Sequence, residues 1–195
     1  MVHELERCEA LGVRYLVIHP GFHQGSGEAR GHAKIVAALD RIHAMTQGYD
    51  TMITLENTAG QGTSIGSDPA QIARIMADVA EGVRLGFCLD TCHAFAAGYD
   101  VRTRAGYAHL LGHIATVIGL DRLKVIHVND SLGQCGSRVD RHENIGRGMI
   151  GKTPFRWIMN DTRLRNIPKI IETPGLKNPV HDMRELAVLR GLVHR

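Results

Sequence analysis

The sequence predicts an α/β fold in which parallel strands are covered by helices, either as an open doubly wound sheet or as a (β/α) barrel. Five short, partly β-branched apolar segments alternate with longer segments whose apolar residues recur at helical spacing. The short segments are apolar on both faces, which is typical of parallel strands buried between helices. The chain has 195 residues, of which 44% are hydrophobic, and this is enough for one sizeable core.

The predicted strands are bounded by turn residues and are too short to be helices. They cover residues 14–18, 51–55, 84–89, 124–126 and 169–171. The predicted helices cover residues 2–11, 31–47, 69–80, 104–118, 154–160 and 180–193. In the second of these helices, Ile35, Leu39 and Ile42 share one face. Thr153 before Pro154 predicts an N-cap followed by a first-turn proline.

Two connections are longer than the others. Residues 57–68 are rich in glycine, and residues 129–152 form a loop long enough to require a functional explanation. No linker-like segment interrupts the pattern. We therefore expect residues 1–195 to form a single domain.

Charge and composition exclude several classes of protein. No apolar run approaches the roughly 18 residues of a membrane span, and the N-terminal residues do not form a signal region. The four cysteines form no C-x-x-C pair, which argues against a disulfide framework. We therefore expect a cytoplasmic protein with reduced thiols and no membrane contact. The net charge of +3 permits a polyanionic partner without requiring one.

Each predicted strand is followed closely by a residue of a metal-ligand type. The five residues are His19, Glu56, Asp90, His127 and Glu172. The carboxyl ends of parallel strands converge at one mouth, so these side chains can meet there. Histidine with aspartate and glutamate is a ligand set for zinc or manganese. A single such residue more often caps a loop, but five together favour a metal centre.

Two short pairs strengthen this prediction. Asp90 is followed three residues later by His93, and Asp140 is followed two residues later by His142 in the long loop. In an extended segment, alternate side chains lie on one face, so Asp140 and His142 can reach a single ion.

Other motifs are interpreted as structural. Residues 146–153 match the pattern G-x-x-x-x-G-K-[ST], but a phosphate-binding loop follows directly from a buried strand, and residues 139–145 do not form one. Cys88 is expected to pack as a small core residue. The histidines away from the strand ends, such as His43, are expected to be solvated or to cap helices.

Three longer segments carry a resemblance to a known family. They are the residues Asn57-Thr-Ala-Gly-Gln-Gly62, Cys88-Leu-Asp-Thr-Cys-His-Ala-Phe-Ala-Ala-Gly-Tyr-Asp100 and Gly136-Ser-Arg-Val-Asp-Arg-His142, and residues 156–159 and 171–173 agree with them. They resemble the signature segments of the endonuclease IV family of abasic-site nucleases. The resemblance runs through nearly the whole chain.

This resemblance implies a TIM-type barrel that binds three zinc ions and cleaves double-stranded DNA on the 5′ side of abasic sites, in base excision repair. It also implies a monomer. The first ion would be held by His19 and Glu56, and Glu56 would bridge to the second. The second site would be completed by Asp90, His127 and Glu172, and the third would be formed by His93, Asp140 and His142. Glu56 and Glu172 are the predicted catalytic carboxylates, Glu172 as ligand and proton acceptor.

The long loop also carries candidate DNA contacts. Arg138, Arg141 and Arg147 can reach backbone phosphates there, although solvated arginines are equally common in such loops.

The sequence departs from the family in length. A (β/α)₈ barrel takes about 250 residues, whereas five of the eight βα units are predicted here, and a further histidine ligand of the first site has no counterpart. Two alternatives to an active nuclease therefore stay open. One is a metal-dependent sugar isomerase on a related barrel, and the other is a shortened chain that binds metal or DNA without catalysis.

Overall fold

Strands and helices alternate along the chain in the computed structural model, which describes residues 1–175 and 179–193. The strands are β1 (Tyr15–Ile18), β2 (Gly21–Phe22), β3 (Met52–Glu56), β4 (Ser64–Ile65), β5 (Leu85–Asp90), β6 (Leu123–His127), β7 (Asp130–Ser131), β8 (His142–Glu143) and β9 (Lys169–Ile170). The helices are α1 (Val2–Ala10), α2 (Glu28–Met45), α3 (Pro69–Asp78), α4 (Thr91–Ala97), α5 (Arg104–Val117), α6 (Lys152–Asn160) and α7 (Pro179–Arg190).

Five strands form one parallel sheet in the order β1-β3-β5-β6-β9. Each strand is added on the same side of the one before it, so the sheet lacks the reversal of strand order found in a doubly wound fold. This order is the progression of a (β/α) barrel, and its strands are the five predicted from the sequence. The register places Asp90 beside His127 and Glu56 beside Cys88, so the carboxyl ends of the strands lie close together.

The core lies between the sheet and the helices and is mostly aliphatic. All six residues of β5 are buried, as expected for a central parallel strand. Leu55 of β3 packs in the same buried cluster as Ile72 of α3 and Ile114 of α5, and all three are completely buried. α3 begins with a capping box, in which the Asp68 carboxylate accepts a hydrogen bond from the backbone of Ala70.

The six predicted helices are present, with ends that differ by a few residues. The sequence patterns missed α4, which begins directly after β5 and is only seven residues long. The predicted N-cap at Thr153 is wrong. α6 begins at Lys152, and its N-cap is Gly151, whose φ of 73° favours glycine.

Both long connections contain small antiparallel pairings. β2 pairs with β4, which lies in the glycine-rich segment, and β7 pairs with β8 inside the segment 129–152. Among the described residues, no helix is both long enough and apolar enough to cross a membrane.

Replacement of a central core side chain tests this packing. Leu55→Ala is expected to lower the free energy of unfolding by about 2–5 kcal/mol, because it leaves a cavity between β3 and the helices. The measurement is urea denaturation followed by circular dichroism. Val83→Ala is the matched control, since Val83 is 74% exposed, and it should change stability by less than about 0.5 kcal/mol. Equal effects of the two substitutions would contradict the assigned core.

Candidate metal centre

The carboxyl ends of the five parallel strands bring all eight predicted ligands into one cluster. Five of them end a strand or follow it within two residues, one lies in the first turn of α4, and two lie in or next to β8. The eight residues are His19, Glu56, Asp90, His93, His127, Asp140, His142 and Glu172.

Glu56 lies near the middle of the cluster and is almost completely buried. Its Oε2 is 3.1 Å from Nε2 of His19, and its Oε1 accepts a 2.7 Å hydrogen bond from Nδ1 of His127. The same Nδ1 of His127 lies 3.1 Å from Oε2 of Glu172. Side chains from β1, β3, β6 and the segment after β9 therefore meet around one carboxylate.

A second group forms around two facing imidazoles. Nδ1 of His93 is 2.9 Å from the carbonyl oxygen of Asn57, and Nδ1 of His142 is 3.0 Å from the carbonyl oxygen of Glu172. A carbonyl oxygen can only accept, so these partners assign the proton to Nδ1 in both rings. The two Nε2 atoms then face each other at 3.4 Å, with Oδ1 of Asp140 only 3.1 Å from the first. Two facing lone pairs beside a carboxylate require a cation between them, either a proton or a metal ion.

The donor atoms fall into sets that could each hold one ion. Atoms of Glu56, Asp90, His127 and Glu172 lie within 4.8 Å of one another, and the same is true of His93, Asp140 and His142. A third set joins His19, Glu56 and His93. The family resemblance implies only His19 and Glu56 for the first site, and in the structure the ring of His93 lies beside them.

Burial and the neighbouring histidines have opposite effects on the pKa of the carboxylates. Burial raises the pKa of Glu56, but hydrogen bonds from His127 and His19 outweigh it and lower the pKa to about 2. Burial raises the pKa of Asp90, which is completely buried. Hydrogen bonds from histidines lower the pKa of Asp140 and Glu172, His93 for the former and His127 for the latter. Carboxylates and histidines that shift one another's pKa values within one cluster are typical of functional sites.

The carboxylates in turn raise the pKa of two histidines of the cluster. Burial lowers the pKa of His93, but the charges of Asp90, Asp140 and Glu56 outweigh it and raise the pKa to about 9. The pKa of His127 is also raised, against the effect of burial, by hydrogen bonds that include Glu172 and Glu56. Without a metal ion, protons therefore supply the positive charge that the cluster requires.

Three residues that the sequence reasoning missed orient the cluster. The Asn57 side chain clamps the backbone of Asp90, accepting from its N–H at 2.7 Å and donating to its carbonyl oxygen at 3.1 Å. Asn129 donates to Oδ2 of Asp90 at 2.6 Å and accepts from the backbone N–H of Glu172 at 2.7 Å. Thr91 donates to the carbonyl oxygen of Asn129 at 2.7 Å. Each residue follows a strand-end ligand by one or two positions, which is the signal that could have identified them.

The remaining residues are placed as follows. Cys88 is buried as predicted, and burial raises the pKa of its thiol to about 12. The expectation of a solvated or capping histidine is wrong for His43, which is 2% exposed and whose ring nitrogens have no hydrogen-bond partner within the described part of the chain.

Arg138, Arg141 and Arg147 are exposed on the segment 129–152. None of the three forms an ion pair with the described residues. Arg138 has a φ of 55°, which is rare for a residue with a side chain.

Comparisons with known proteins agree with this fold. A family model described as a xylose isomerase-like TIM barrel matches residues 1–191. A probable endonuclease 4 of Geobacter sulfurreducens is 47% identical over 98% of this chain and 65% of that protein. A probable endonuclease 4 of Chloroflexus aurantiacus is 48% identical over 97% of this chain and 67% of that protein. The chain belongs to the endonuclease IV family.

Solved structures agree with this assignment. The crystal structure of endonuclease IV from Thermus thermophilus superimposes with a TM-score of 0.82 at 36% identity, over 98% of this chain and 65% of that one. A D-tagatose 3-epimerase-like protein shares the fold with a TM-score of 0.75 at 19% identity, over 98% of this chain and 66% of that one. The chain thus has the TIM-barrel fold and spans about two thirds of the length of these endonuclease IV relatives.

The raised pKa of His93 predicts how pH affects the metal-free protein. Protonated His93 stabilises the folded chain, so this contribution is fully present below its ordinary pKa of 6.5 and is lost as the pH rises through about 9. Urea denaturation in chelator should give a free energy of unfolding about 1–3 kcal/mol lower at pH 9.5 than at pH 6.5.

His93→Gln should reduce this pH dependence, because glutamine does not titrate, and the remainder should come from His127, whose pKa is also raised. In the presence of zinc, the free energy of unfolding should instead rise with pH, since protons compete with metal for the imidazole. A metal-free protein whose stability is the same at both pH values would contradict the assigned electrostatics.

Proposed function

We propose that this chain is a metal-dependent phosphodiester hydrolase that incises DNA on the 5′ side of abasic sites, in base excision repair. The proposal is supported by membership of the endonuclease IV family and by relatives that are named endonucleases. Its proposed partner is double-stranded DNA that contains an abasic site. We further propose that the protein acts in the cytoplasm, as a monomer, with zinc or manganese bound.

The observation that carries the proposal is the pair of facing Nε2 atoms of His93 and His142. Their tautomers are set by backbone carbonyl groups, and Asp140 adds a negative charge beside them. Nitrogen and carboxylate donors within 4.8 Å of one another are the donor set that zinc prefers. The residues present therefore fit the metal. When bound, zinc would activate water and neutralise the charge of a phosphodiester.

The protein residues have separate roles in this proposal. Glu56, shared by groups from β1 and β6, would join the first two metal sites. Glu172 is partly exposed, so it is accessible both as a ligand and as an acceptor of a proton. Asp90 would serve the second site from a fully buried position, held by Asn57 and Asn129. Arg138, Arg141 and Arg147 would contact backbone phosphates of the DNA.

Two features favour a nuclease over a sugar isomerase on the same fold. His93, Asp140 and His142 could form a further metal site, in addition to the one or two sites that an isomerase requires. The loop that carries Asp140 and His142 also carries three arginines that form no ion pair with the described residues, and a small neutral sugar does not require them. The remaining alternative is a chain that binds metal or DNA without catalysis, and an activity measurement on the 195-residue chain decides that question.

An incision assay tests the reaction. A labelled duplex with one synthetic abasic site should be cut on the 5′ side of that site in the presence of zinc, and chelator should abolish the cut. Asp90→Asn should lower the rate and the zinc content together, by more than about tenfold, because it removes a buried ligand charge. Asp121→Asn, at an exposed position, is the matched control and should change neither.

Two results would count against the proposal. Zinc binding without incision would favour the non-catalytic alternative. Absence of both zinc and manganese after dialysis against either metal would remove the metal centre itself.

DNA binding by the loop arginines is measured separately, with metal-free protein so that the substrate is not consumed. Arg138→Ala should weaken binding and reduce the slope of log Kd against log salt concentration by about 1, because one phosphate contact is lost. Arg165→Ala is the control, since Arg165 is an exposed arginine that precedes β9 and therefore lies near the opposite end of the sheet. Identical slopes for the two variants would remove Arg138 from the interface.

A further inference from the structure

Asp130 is a buried carboxylate with no role in the cluster described above. It begins β7, three residues after His127, and its side chain is completely buried. Its carboxylate points away from the metal ligands toward the segment 146–151, which connects β8 to α6. A charge buried at this position is costly unless several donors surround it.

The carboxylate of Asp130 accepts hydrogen bonds from five backbone N–H groups. Oδ1 accepts from Ser131 at 2.8 Å and from Ile150 at 2.9 Å. Oδ2 accepts from three glycines, Gly146 at 2.9 Å, Gly148 at 3.1 Å and Gly151 at 3.3 Å. Hydrogen bonds from backbone N–H groups to an ionised carboxylate are stronger than those between neutral groups. The turn 146–151 is therefore folded around one internal anion.

This contact explains the sequence pattern G-x-x-x-x-G-K-T at residues 146–153. In a phosphate-binding loop, backbone N–H groups of such a segment surround a bound phosphate. Here the same kind of group surrounds the side chain of Asp130, so the turn holds no external anion. The fit is tight, because a Cβ atom on Gly148 would lie 2.5 Å from Oδ1 of Asp130.

The same residue is joined to the metal cluster through the β7 and β8 hairpin. The register pairs Asp130 with Glu143 and Ser131 with His142. The backbone N–H of Met149 donates to the carbonyl oxygen of Ser131 at 2.7 Å, so the turn also holds β7, the buried strand of the hairpin. His142 lies on neither a helix nor a strand of the central sheet. Its position depends on this hairpin and on its bond to the carbonyl oxygen of Glu172.

We propose that Asp130 is a positioning residue that holds His142 and Asp140 in the metal cluster by ordering the turn behind them. The inference rests on the proposed function, because it assigns these two side chains to a metal site. Asp130 itself contacts neither metal nor substrate. Loss of its charge would release four N–H groups of the turn 146–151, loosen the hairpin and allow the ring of His142 to rotate.

Two measurements on the full chain test this role, and the first needs no metal. In metal-free protein, ¹⁵N NMR of the imidazole rings should report a fixed Nδ1–H tautomer for His142, and Asp130→Asn should give averaged ring shifts. The matched control is Asp40→Asn, because the Asp40 carboxylate also accepts from a backbone N–H group, that of Ala80, but Asp40 lies on α2, outside the hairpin and the turn. The control should leave the His142 ring shifts unchanged.

The second measurement is a double-mutant cycle read by zinc titration. Asp130→Asn should weaken one zinc site by about 10 to 100 fold and leave the others unchanged. In the background of His142→Ala, the same substitution should have a smaller effect on zinc affinity, because one of the two ligands through which it acts is missing. Additive losses would mean that Asp130 stabilises the whole protein instead, and this would overturn the proposal.

Further outcomes distinguish the proposed function from the positioning role of Asp130. Gly148→Ala disturbs the same contact from the side of the turn, and it replaces Asp130→Asn if that variant does not fold. Ring shifts of His142 that are unchanged in the folded variant would overturn the positioning role. A wild-type protein that binds no zinc would defeat the proposed function, whereas the NMR result would still decide whether Asp130 positions His142.

Discussion

The buried carboxylate of Glu56 is the interaction on which the rest of the site depends. It ends β3, which lies between β1 and β5, so its side chain is surrounded by the ends of neighbouring strands. Burial of an unpaired charge there would be costly, and the hydrogen bonds that Glu56 accepts from His127 and His19 offset this cost. The sheet order therefore does more than support the cluster. It brings the histidines of two other strands to the one carboxylate that requires them.

The fold and the convergence of the eight candidate ligands could be predicted because both depend on local sequence. A short apolar segment followed by His, Asp or Glu is visible in a few residues, and the parallel topology converts five such ends into one site. The partners that orient the ligands were not predictable in this way. Asn57 and Asn129 form hydrogen bonds with residues 33 to 43 positions away along the chain, and no periodic sequence pattern indicates such bonds.

Two further differences have specific physical causes. His43 lies four positions after Leu39 and so shares its buried helical face, and its residue type alone suggested exposure. The segment 129–152 was interpreted as a loop because β7 and β8 have only two residues each, too few to produce alternation. What orders that segment is the Asp130 carboxylate, whose role is visible only once the turn has folded over it. The role proposed for Asp130 thus depends on a buried carboxylate 16 residues or more from the glycines that surround it, and the glycine pattern alone does not reveal this partner.

The cluster extends across the whole sheet. His19 follows β1 and Glu172 follows β9, and within the described residues each of these strands pairs with only one neighbour. Every other ligand lies between these two edges or on the hairpin above them. Cations held by the two donor sets that share Glu56 would therefore connect the first strand to the last, and their free energy of binding would add to the stability of the folded chain. Metal binding and folding would then be coupled for a geometric reason, because the donor atoms converge only where the ends of the five strands meet.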